Sequence, residues 1–321
     1  MPHEVLMLTP RYGAQKEYVD RFLQARDCFA SERDIPERAG EDQLCELVTE
    51  AGGIITGLGR ITERVMDAAP KLRVVSTGGV GFDHVDLRAA AERGIVVANC
   101  AGCNNHSVSE LALGMMLGLS RNIRMADQLM RTDGWAAGGQ ARAGQELWGK
   151  TLGIVGLGRV GKSTALLARA FGMRVLANDI AWDITFANQW GISYVPLDTL
   201  LAQADYVTLH CPLTEFTREL IDERAIDLMK PSAFLINTSR GPVVKESALV
   251  NALATGRVAG AGLDVFQVEP HPDNPYTEFD NVILTPHIGG STAEAGERSL
   301  YLAMTNVTNV LNGLPAHSQV N

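Results

Sequence analysis

The 321-residue chain is 46% hydrophobic and 20% charged, the balance of a folded globular protein that leaves no room for extensive disorder. Its formal charge of −9, with no Lys/Arg block, argues against nucleic acid as a partner. The start Met1-Pro2-His3-Glu4 lacks a basic leader and the longest apolar run, 111–119, falls short of a membrane span, so a cytoplasmic protein of two lobes is expected.

In chain order, residues 5–8 read as a strand, 15–25 as an amphipathic helix, 53–56 as a strand and 62–69 as a helix. Residues 74–77 then read as strand, 87–93 as helix and 95–98 as strand. Such alternation implies a parallel sheet covered on both faces. A long helix is expected from Ser107 as N-cap, with Glu110 completing a capping box, through 111–119. The Gly/Ala/Gln-rich stretch 134–145 reads as an exposed connection. Beyond Gly149, strands are expected at 151–155, 174–177, 206–210, 233–237, 260–265 and 282–284. Six is the strand count of a full dinucleotide-binding sheet. A final helix over 293–311 is expected to return to the first lobe.

Five cysteines are an odd count in a long chain and do not read as a disulfide framework. Cys100 and Cys103 form a lone C-x-x-C with no second pair, and no metal is expected.

Gly156-Leu157-Gly158-Arg159-Val160-Gly161 follows the apolar strand 152–155 and opens a helical run, the context in which a glycine fingerprint carries meaning. Gly156 permits a tight turn, Gly158 close approach of backbone to a pyrophosphate, and Gly161 close packing of helix on strand. The helix N-terminus offers free amides and a positive dipole end to the anion. Asp179 ends the next strand, where an acid accepts the ribose hydroxyls and repels a 2′-phosphate. Ile180-Ala181-Trp182 supplies no arginine, so NAD is favoured over NADP. A second glycine run, Gly57-Leu58-Gly59-Arg60-Ile61-Thr62, has Thr62 in place of the third glycine and no acid after the next strand, and is read as a loop.

Hydride removal from a secondary alcohol requires a base, a cation for the substrate carboxylate and a carbon set against the nicotinamide. Three late segments carry such groups: Asn237-Thr238-Ser239-Arg240-Gly241, Asp264-Val265-Phe266-Gln267-Val268-Glu269-Pro270 and Thr285-Pro286-His287-Ile288-Gly289-Gly290. Each lies just past a predicted strand end, where ligands of open α/β sheets bind. Arg240 offers a planar fork matching a carboxylate, His287 titrates near working pH, and Glu269 is suited to fix the imidazole tautomer. His106 is read as a helix-start residue and His210 as a strand-end residue near the cofactor.

At these segments the sequence resembles the D-isomer-specific 2-hydroxyacid dehydrogenases, and within them the phosphoglycerate dehydrogenase branch, over about 74–311. Further matching stretches are Gly79-Val80-Gly81-Phe82-Asp83, Ser107-Val108-Ser109-Glu110, Gly149-Lys150-Thr151-Leu152-Gly153 and His210-Cys211-Pro212-Leu213-Thr214. The resemblance implies an α/β fold of two Rossmann-like or flavodoxin-like lobes, each a parallel sheet with helices on both faces, with a cleft between. Residues 1–104 and 292–321 would form the substrate-binding domain, and 105–291 the inserted NAD-binding Rossmann domain. It also implies Arg240, Glu269 and His287 as the catalytic triad, with the Gly79 and Val80 amides helping to hold the substrate carboxylate. A nicotinamide contact from Asp264 is implied, with cofactor contacts around Arg159, Val160, His210, Cys211, Pro212, Thr217, Thr238 and Gly290. A homodimer through the inserted lobe, by way of the Leu111 helix and the Trp135 loop, is implied as well.

The activity so implied is NAD-dependent hydride transfer at C2 of a small D-2-hydroxy or 2-oxo acid. Where the branch commonly places arginines for phosphate, this chain has Thr56 and Thr77, with Arg60 nearby. That departure keeps a glyoxylate or hydroxypyruvate reductase open as the alternative. An NADH-sensing corepressor is a reading from another class, against which the lack of low-complexity tails counts. No second, regulatory domain follows Asn321, so feedback through one is not expected. Formate dehydrogenases resemble the pattern with glutamine at the position of Glu269, which argues against that activity.

Overall fold

Runs such as Val5-Leu6-Met7-Leu8 are apolar at every position, so both faces of the strand they form must be covered. The computed structural model describes residues 2–9, 11–31, 39–57, 59–135 and 143–321. They fold as two units, one from Met1–Asn104 with Ser291–Asn321 and one from Asn105–Gly290.

The first unit holds strands β1 (His3–Leu8), β2 (Cys28–Ala30), β3 (Gly53–Thr56), β4 (Val74–Thr77) and β5 (Val96–Ala98) in the order β2-β1-β3-β4-β5. All pairings are parallel, as in flavodoxin-like sheets. Side-chain alternation divides the core. Val5, Met7, Ile55 and Val74 pack under Met304, Val307 and Leu311 on one face, while Leu6, Leu8, Ile54 and Val75 pack under Leu44, Val65 and Ala89 on the other. The helix over Ala293–Leu311 belongs to this unit. Thr292 caps its start by accepting from the Ala295 amide at 3.1 Å. Arg73 donates to the carbonyls of Leu311 and Val310 at its end, at 2.9 and 3.0 Å, placing a cation at the negative end of the helix dipole.

Strand β2 and the helix Glu41–Leu47 are absent from the sequence expectations. β2 is three residues long with its central Phe29 exposed, too short to carry a period-2 signal. The expected helices at 15–25, 62–69 and 87–93 are observed at Lys16–Gln24, Glu63–Asp67 and Leu87–Glu92. Thr62, which stands where the second glycine run departs from a fingerprint, caps the second of these by accepting from the Val65 amide. Leu58 of that run lies outside the described residues.

The second unit holds β6 (Thr151–Val155), β7 (Arg174–Asn178), β8 (Ser193–Tyr194), β9 (Tyr206–Leu209), β10 (Phe234–Asn237), β11 (Gly260–Leu263) and β12 (Val282–Leu284). Their order is β12-β11-β10-β9-β6-β7-β8, all parallel. The sheet therefore has seven strands where six were expected, because the two-residue edge strand β8 is too short to read as a pattern. Strand order reverses between β6 and β9, the switch point at which open α/β sheets leave a crevice at their carboxyl ends.

The helix of this unit that was expected to start from a Ser107 cap runs over Asn105–Ser120 instead. Ser107 sits inside its first turn and is buried, so the Ser107–Glu110 capping box is not formed. The turn at 101–104 starts the helix earlier, and Ser109 Oγ turns inward to the His106 carbonyl (2.9 Å) and Ser163 Oγ (2.8 Å). Small side chains there let this helix lie against Arg159–Ala170. Of the expected connection at 134–145, residues 136–142 lie outside the described residues.

Candidate active site

The carboxyl ends of β6, β7, β9, β10, β11 and β12 deliver almost every group proposed from sequence in this unit. After β6 the chain turns at Gly156, whose φ of +94° lies in the left-handed region. A Cβ on Gly161 would stand 2.1 Å from the Gly156 carbonyl oxygen, so the helix Arg159–Ala170 can press onto the turn only with glycine there. That helix begins at Gly158 without a side-chain cap, leaving its first-turn amides for an anion. A Cβ on Gly158 would meet nothing within 4 Å, so the space in front of this turn can take a pyrophosphate.

Asp179 lies just past β7 and faces the same turn. Its Oδ2 accepts from the Leu157 amide at 2.6 Å and its Oδ1 from the Ala181 amide at 2.9 Å. The carboxylate thus holds the glycine turn as well as presenting negative charge beside it. His210 follows β9, with Nε2 3.1 Å from the hydroxyls of Thr164 and Thr208 and Nδ1 3.5 Å from Thr238 Oγ1. Enclosure lowers its pKa to about 3, so the ring stays neutral and acts as a hydrogen-bonding wall. Burial raises the neighbouring Cys211 thiol to about 11, which removes it as a nucleophile. Thr217 closes the following loop by donating to the Pro212 carbonyl (2.6 Å) and accepting from the Thr214 amide (2.7 Å).

The groups with acid and base chemistry converge at the ends of β10, β11 and β12. His287 Nδ1 donates to Glu269 Oε2 at 2.5 Å; an ionised carboxylate can only accept, which fixes the proton on Nδ1 and leaves Nε2 for a substrate. The bond to Glu269 raises the His287 pKa above its ordinary value of 6.5, against the opposing effect of desolvation. Burial resists ionisation of Glu269, but the hydrogen bonds from His287 and from the Phe266 amide (2.9 Å) outweigh it and hold the carboxyl below the usual range. The Arg240 charge bears on both partners, stabilising the carboxylate and disfavouring the imidazolium.

The local fold explains this convergence. Gly241 has no Cβ because one would stand 1.9 Å from the Phe266 carbonyl oxygen, so the Arg240 turn lies directly on the loop that carries Glu269. Buried Asn237 braces that turn, donating to the Arg240 carbonyl (2.9 Å) and accepting from the Ser239 amide (3.0 Å). Gln267 ties the Glu269 loop back to the Val244 carbonyl at 2.8 Å. Asp264, 1% exposed, accepts at Oδ1 from Thr285 Oγ1 (2.6 Å) and the Ile288 amide (2.8 Å), and at Oδ2 from the Gly289 amide (2.8 Å). These bonds hold His287 at φ +53°, a strained conformation for a side chain with Cβ that persists only when its surroundings impose it. The sequence singled out neither Asn237 nor Gln267 for these bracing roles, and Asp264, expected from the resemblance at the nucleotide, also braces the His287 loop through both its oxygens. Gly290 ends that loop. Among the described residues no group of three or more His, Cys, Asp and Glu side chains could hold a metal.

In the first unit Gly79 and Val80 follow β4. The carbonyls of Gly78, Gly79 and Val80 accept from Ser299 Oγ, from Thr77 Oγ1 (2.8 Å) with the Cys100 amide (2.9 Å), and from Asn99 Nδ2 (2.8 Å). In a trans peptide the N–H points opposite the carbonyl of the same unit. Holding these three carbonyls inward turns the amides of Gly79, Val80 and Gly81 outward. Thr56 and Thr77 are buried and donate to the carbonyls of Gly59 (3.0 Å) and Gly79, so both serve to brace loops.

A doubly wound sheet with a glycine turn, an acid after the second strand and an imidazole–carboxylate pair at its carboxyl edge defines a dinucleotide-dependent oxidoreductase. Residues 113–289 match the family described as D-isomer specific 2-hydroxyacid dehydrogenase, NAD binding domain. The chain belongs to the D-isomer specific 2-hydroxyacid dehydrogenase family, a class of NAD-dependent oxidoreductases, and NAD is its cofactor. It is 46% identical over 259 residues to the glyoxylate reductase of Thermofilum pendens, covering 79% of this chain and 76% of that protein. To the D-3-phosphoglycerate dehydrogenase of Synechocystis it is 39% identical over 289 residues, 90% of this chain and 52% of that protein. The chain therefore spans about half the length of the phosphoglycerate dehydrogenases it matches. Among solved structures, a D-lactate dehydrogenase from Aquifex aeolicus, complexed with NAD and lactic acid, superposes with a TM-score of 0.83 at 29% identity, covering 97% of this chain and 96% of that one.

Proposed function

We propose that this chain transfers a hydride between NAD and C2 of a small D-2-hydroxy or 2-oxo acid, with Arg240, Glu269 and His287 as its catalytic groups. The observation that carries this reading is the 2.5 Å His287–Glu269 pair on a loop clamped by buried Asp264, with Arg240 acting on both partners. When bound, NAD supplies or accepts the hydride. Arg240 holds the C1 carboxylate and the C2 oxygen through its planar fork. In reduction, protonated His287 gives its Nε2 proton to the C2 oxygen; in oxidation the neutral ring takes it back. Glu269 keeps the ring oriented and steadies its charge in both directions.

In this reading the Gly156–Gly161 turn, with Arg159 and Val160 in its helix, holds the pyrophosphate and Asp179 the ribose. The groups at His210, Cys211, Pro212, Thr217, Thr238, Asp264 and Gly290 enclose the rest of the dinucleotide. The unit of Met1–Asn104 and Ser291–Asn321 binds the acid, its Gly79 and Val80 amides meeting the carboxylate. The inward commitment of Thr56 and Thr77 favours a short, unphosphorylated 2-oxo acid such as glyoxylate or hydroxypyruvate over a phosphorylated one. We place the protein in the cytoplasm as a homodimer; among the described residues no helix is long and apolar enough to cross a membrane, and Trp135 in the inserted unit is 89% exposed.

The test is NADH absorbance with a panel of 2-oxo acids. Turnover of glyoxylate or hydroxypyruvate well above that of 3-phosphohydroxypyruvate is expected. Preference for the phosphorylated acid would overturn the substrate reading, and no turnover of any 2-oxo acid would overturn the enzymatic one.

A further inference from the structure

The amide loop after β4 is oriented by its carbonyls, and one of its anchors leads away from the site to a distant stretch of chain. Asn99 is 6% exposed and uses all four of its polar groups. Its Nδ2 donates to the Val80 carbonyl at 2.8 Å. Its Oδ1 accepts from Ser318 Oγ at 2.8 Å. Its backbone amide donates to the Ser318 carbonyl at 3.0 Å, and its own carbonyl accepts from Asn306 Nδ2 at 3.0 Å.

Segment 317–321 runs beside the edge strand β5. Gln319 bridges antiparallel to Ala98, the Val320 amide donates to the Val97 carbonyl at 2.8 Å, and the Asn321 side chain takes the Val97 amide and reaches the Ile95 carbonyl, both at 2.8 Å. Fully buried Asn306 receives the His317 amide at 2.9 Å and fastens the start of the strap. The strap therefore fixes the Asn99 carboxamide from one side while Val80 hangs from the other.

We infer that Asn99 is a positioning residue for substrate, and that segment 317–321 is the strap that sets it. This rests on the reading that the amides after β4 meet the substrate carboxylate. Asn99 never touches the acid. By holding the Val80 carbonyl inward it fixes the peptide plane between Val80 and Gly81, which turns the Gly81 amide outward and sets the exit of the turn whose Gly79 and Val80 amides meet the carboxylate in that reading. An asparagine is required because the Val80 carbonyl needs a donor while Ser318 Oγ needs an acceptor; aspartate would set two oxygens face to face.

The experiment compares wild type with Asn99→Asp and Ser318→Ala under saturating NADH and varied glyoxylate. Release of the Val80 carbonyl loosens the turn that presents these amides and raises KM roughly tenfold in Asn99→Asp, and about threefold in Ser318→Ala, where the carboxamide loses only one anchor. The expected kcat at saturation and NADH affinity, by fluorescence titration, stay within about twofold of wild type, a split that general destabilisation does not produce. Unchanged KM in both variants overturns the inference, as does a parallel loss of kcat and NADH affinity. Should Asn99→Asp fail to fold, Ser318→Ala decides alone, because it removes one hydroxyl from a half-buried position. Failure of the wild type to turn over any 2-oxo acid sinks the underlying reading instead, and is seen before either variant is made.

Discussion

At the scale of single residues, the proposed chemistry reduces to where one proton sits. Glu269 fixes it on Nδ1 of His287 and raises the affinity of the ring for a second one at Nε2. Replacing His287 with alanine is expected to lower kcat by roughly 10²- to 10⁴-fold, the range of general acid–base catalysis. NADH affinity, read by fluorescence, should stay near wild type because the ring lies outside the glycine turn. The pH profile carries a sign. In the proposed mechanism reduction needs the protonated ring, so kcat/KM for the oxo acid is expected to be full below the raised His287 pKa and to fall as pH climbs through it. Oxidation runs the opposite way. Glu269→Gln removes the main cause of the raised value, so the fall in the reduction profile should begin at lower pH, displaced toward the ordinary histidine value of 6.5. An inflection that stays in place or moves to higher pH would show that Glu269 does not govern the proton.

At the scale of elements, the site depends on three strand ends brought into contact by bare backbone. Gly241→Ala places a methyl group 1.9 Å from a carbonyl oxygen of the Glu269 loop, and neither partner is a flexible side chain. A destabilisation of about 3 kcal/mol or more is expected, read as a fall of roughly 5 °C or more in Tm. Activity should drop with it, because the clash separates Arg240 from Glu269; a variant with wild-type Tm and turnover would show that this contact is not needed. The patterns that revealed these elements were the long ones. β8, with two residues, and β2, with three, are held by their neighbours in the sheet rather than by any periodicity of their own, and so left no signal. The start of the helix Asn105–Ser120 was misplaced for a related reason: Ser107 has the chemistry of a cap, but the turn before it and burial of its side chain decided where the helix begins.

At the scale of the whole molecule, the order β8-β7-β6-β9 puts the switch point where the glycine turn and Asp179 meet, and binding there should stabilise the fold by linkage. NADH at about one hundred times its Kd is expected to add about 2.7 kcal/mol, seen as a rise in Tm. NADPH at the same concentration should add much less, because the Asp179 carboxylate faces a 2′-phosphate with no arginine beside it in Ile180-Ala181-Trp182. Equal shifts with the two nucleotides would contradict that account of cofactor choice.

The sequence alone determined the α/β class, the glycine turn and its partner acid, because those signals are local: apolar runs, glycines at fixed spacing and an acid at a strand end. It also proposed Arg240, Glu269 and His287, since strand-end position is readable once the strands are known. Tertiary structure alone decided what braces those groups and the loop after β4. The contact of Gly241 with Phe266, the bonds from Asp264 to the His287 loop, and the tie from Ser318 through Asn99 to Val80 join residues up to hundreds of positions apart. Their partners are mostly backbone amides and carbonyls, which every residue carries and which no spacing of side chains announces.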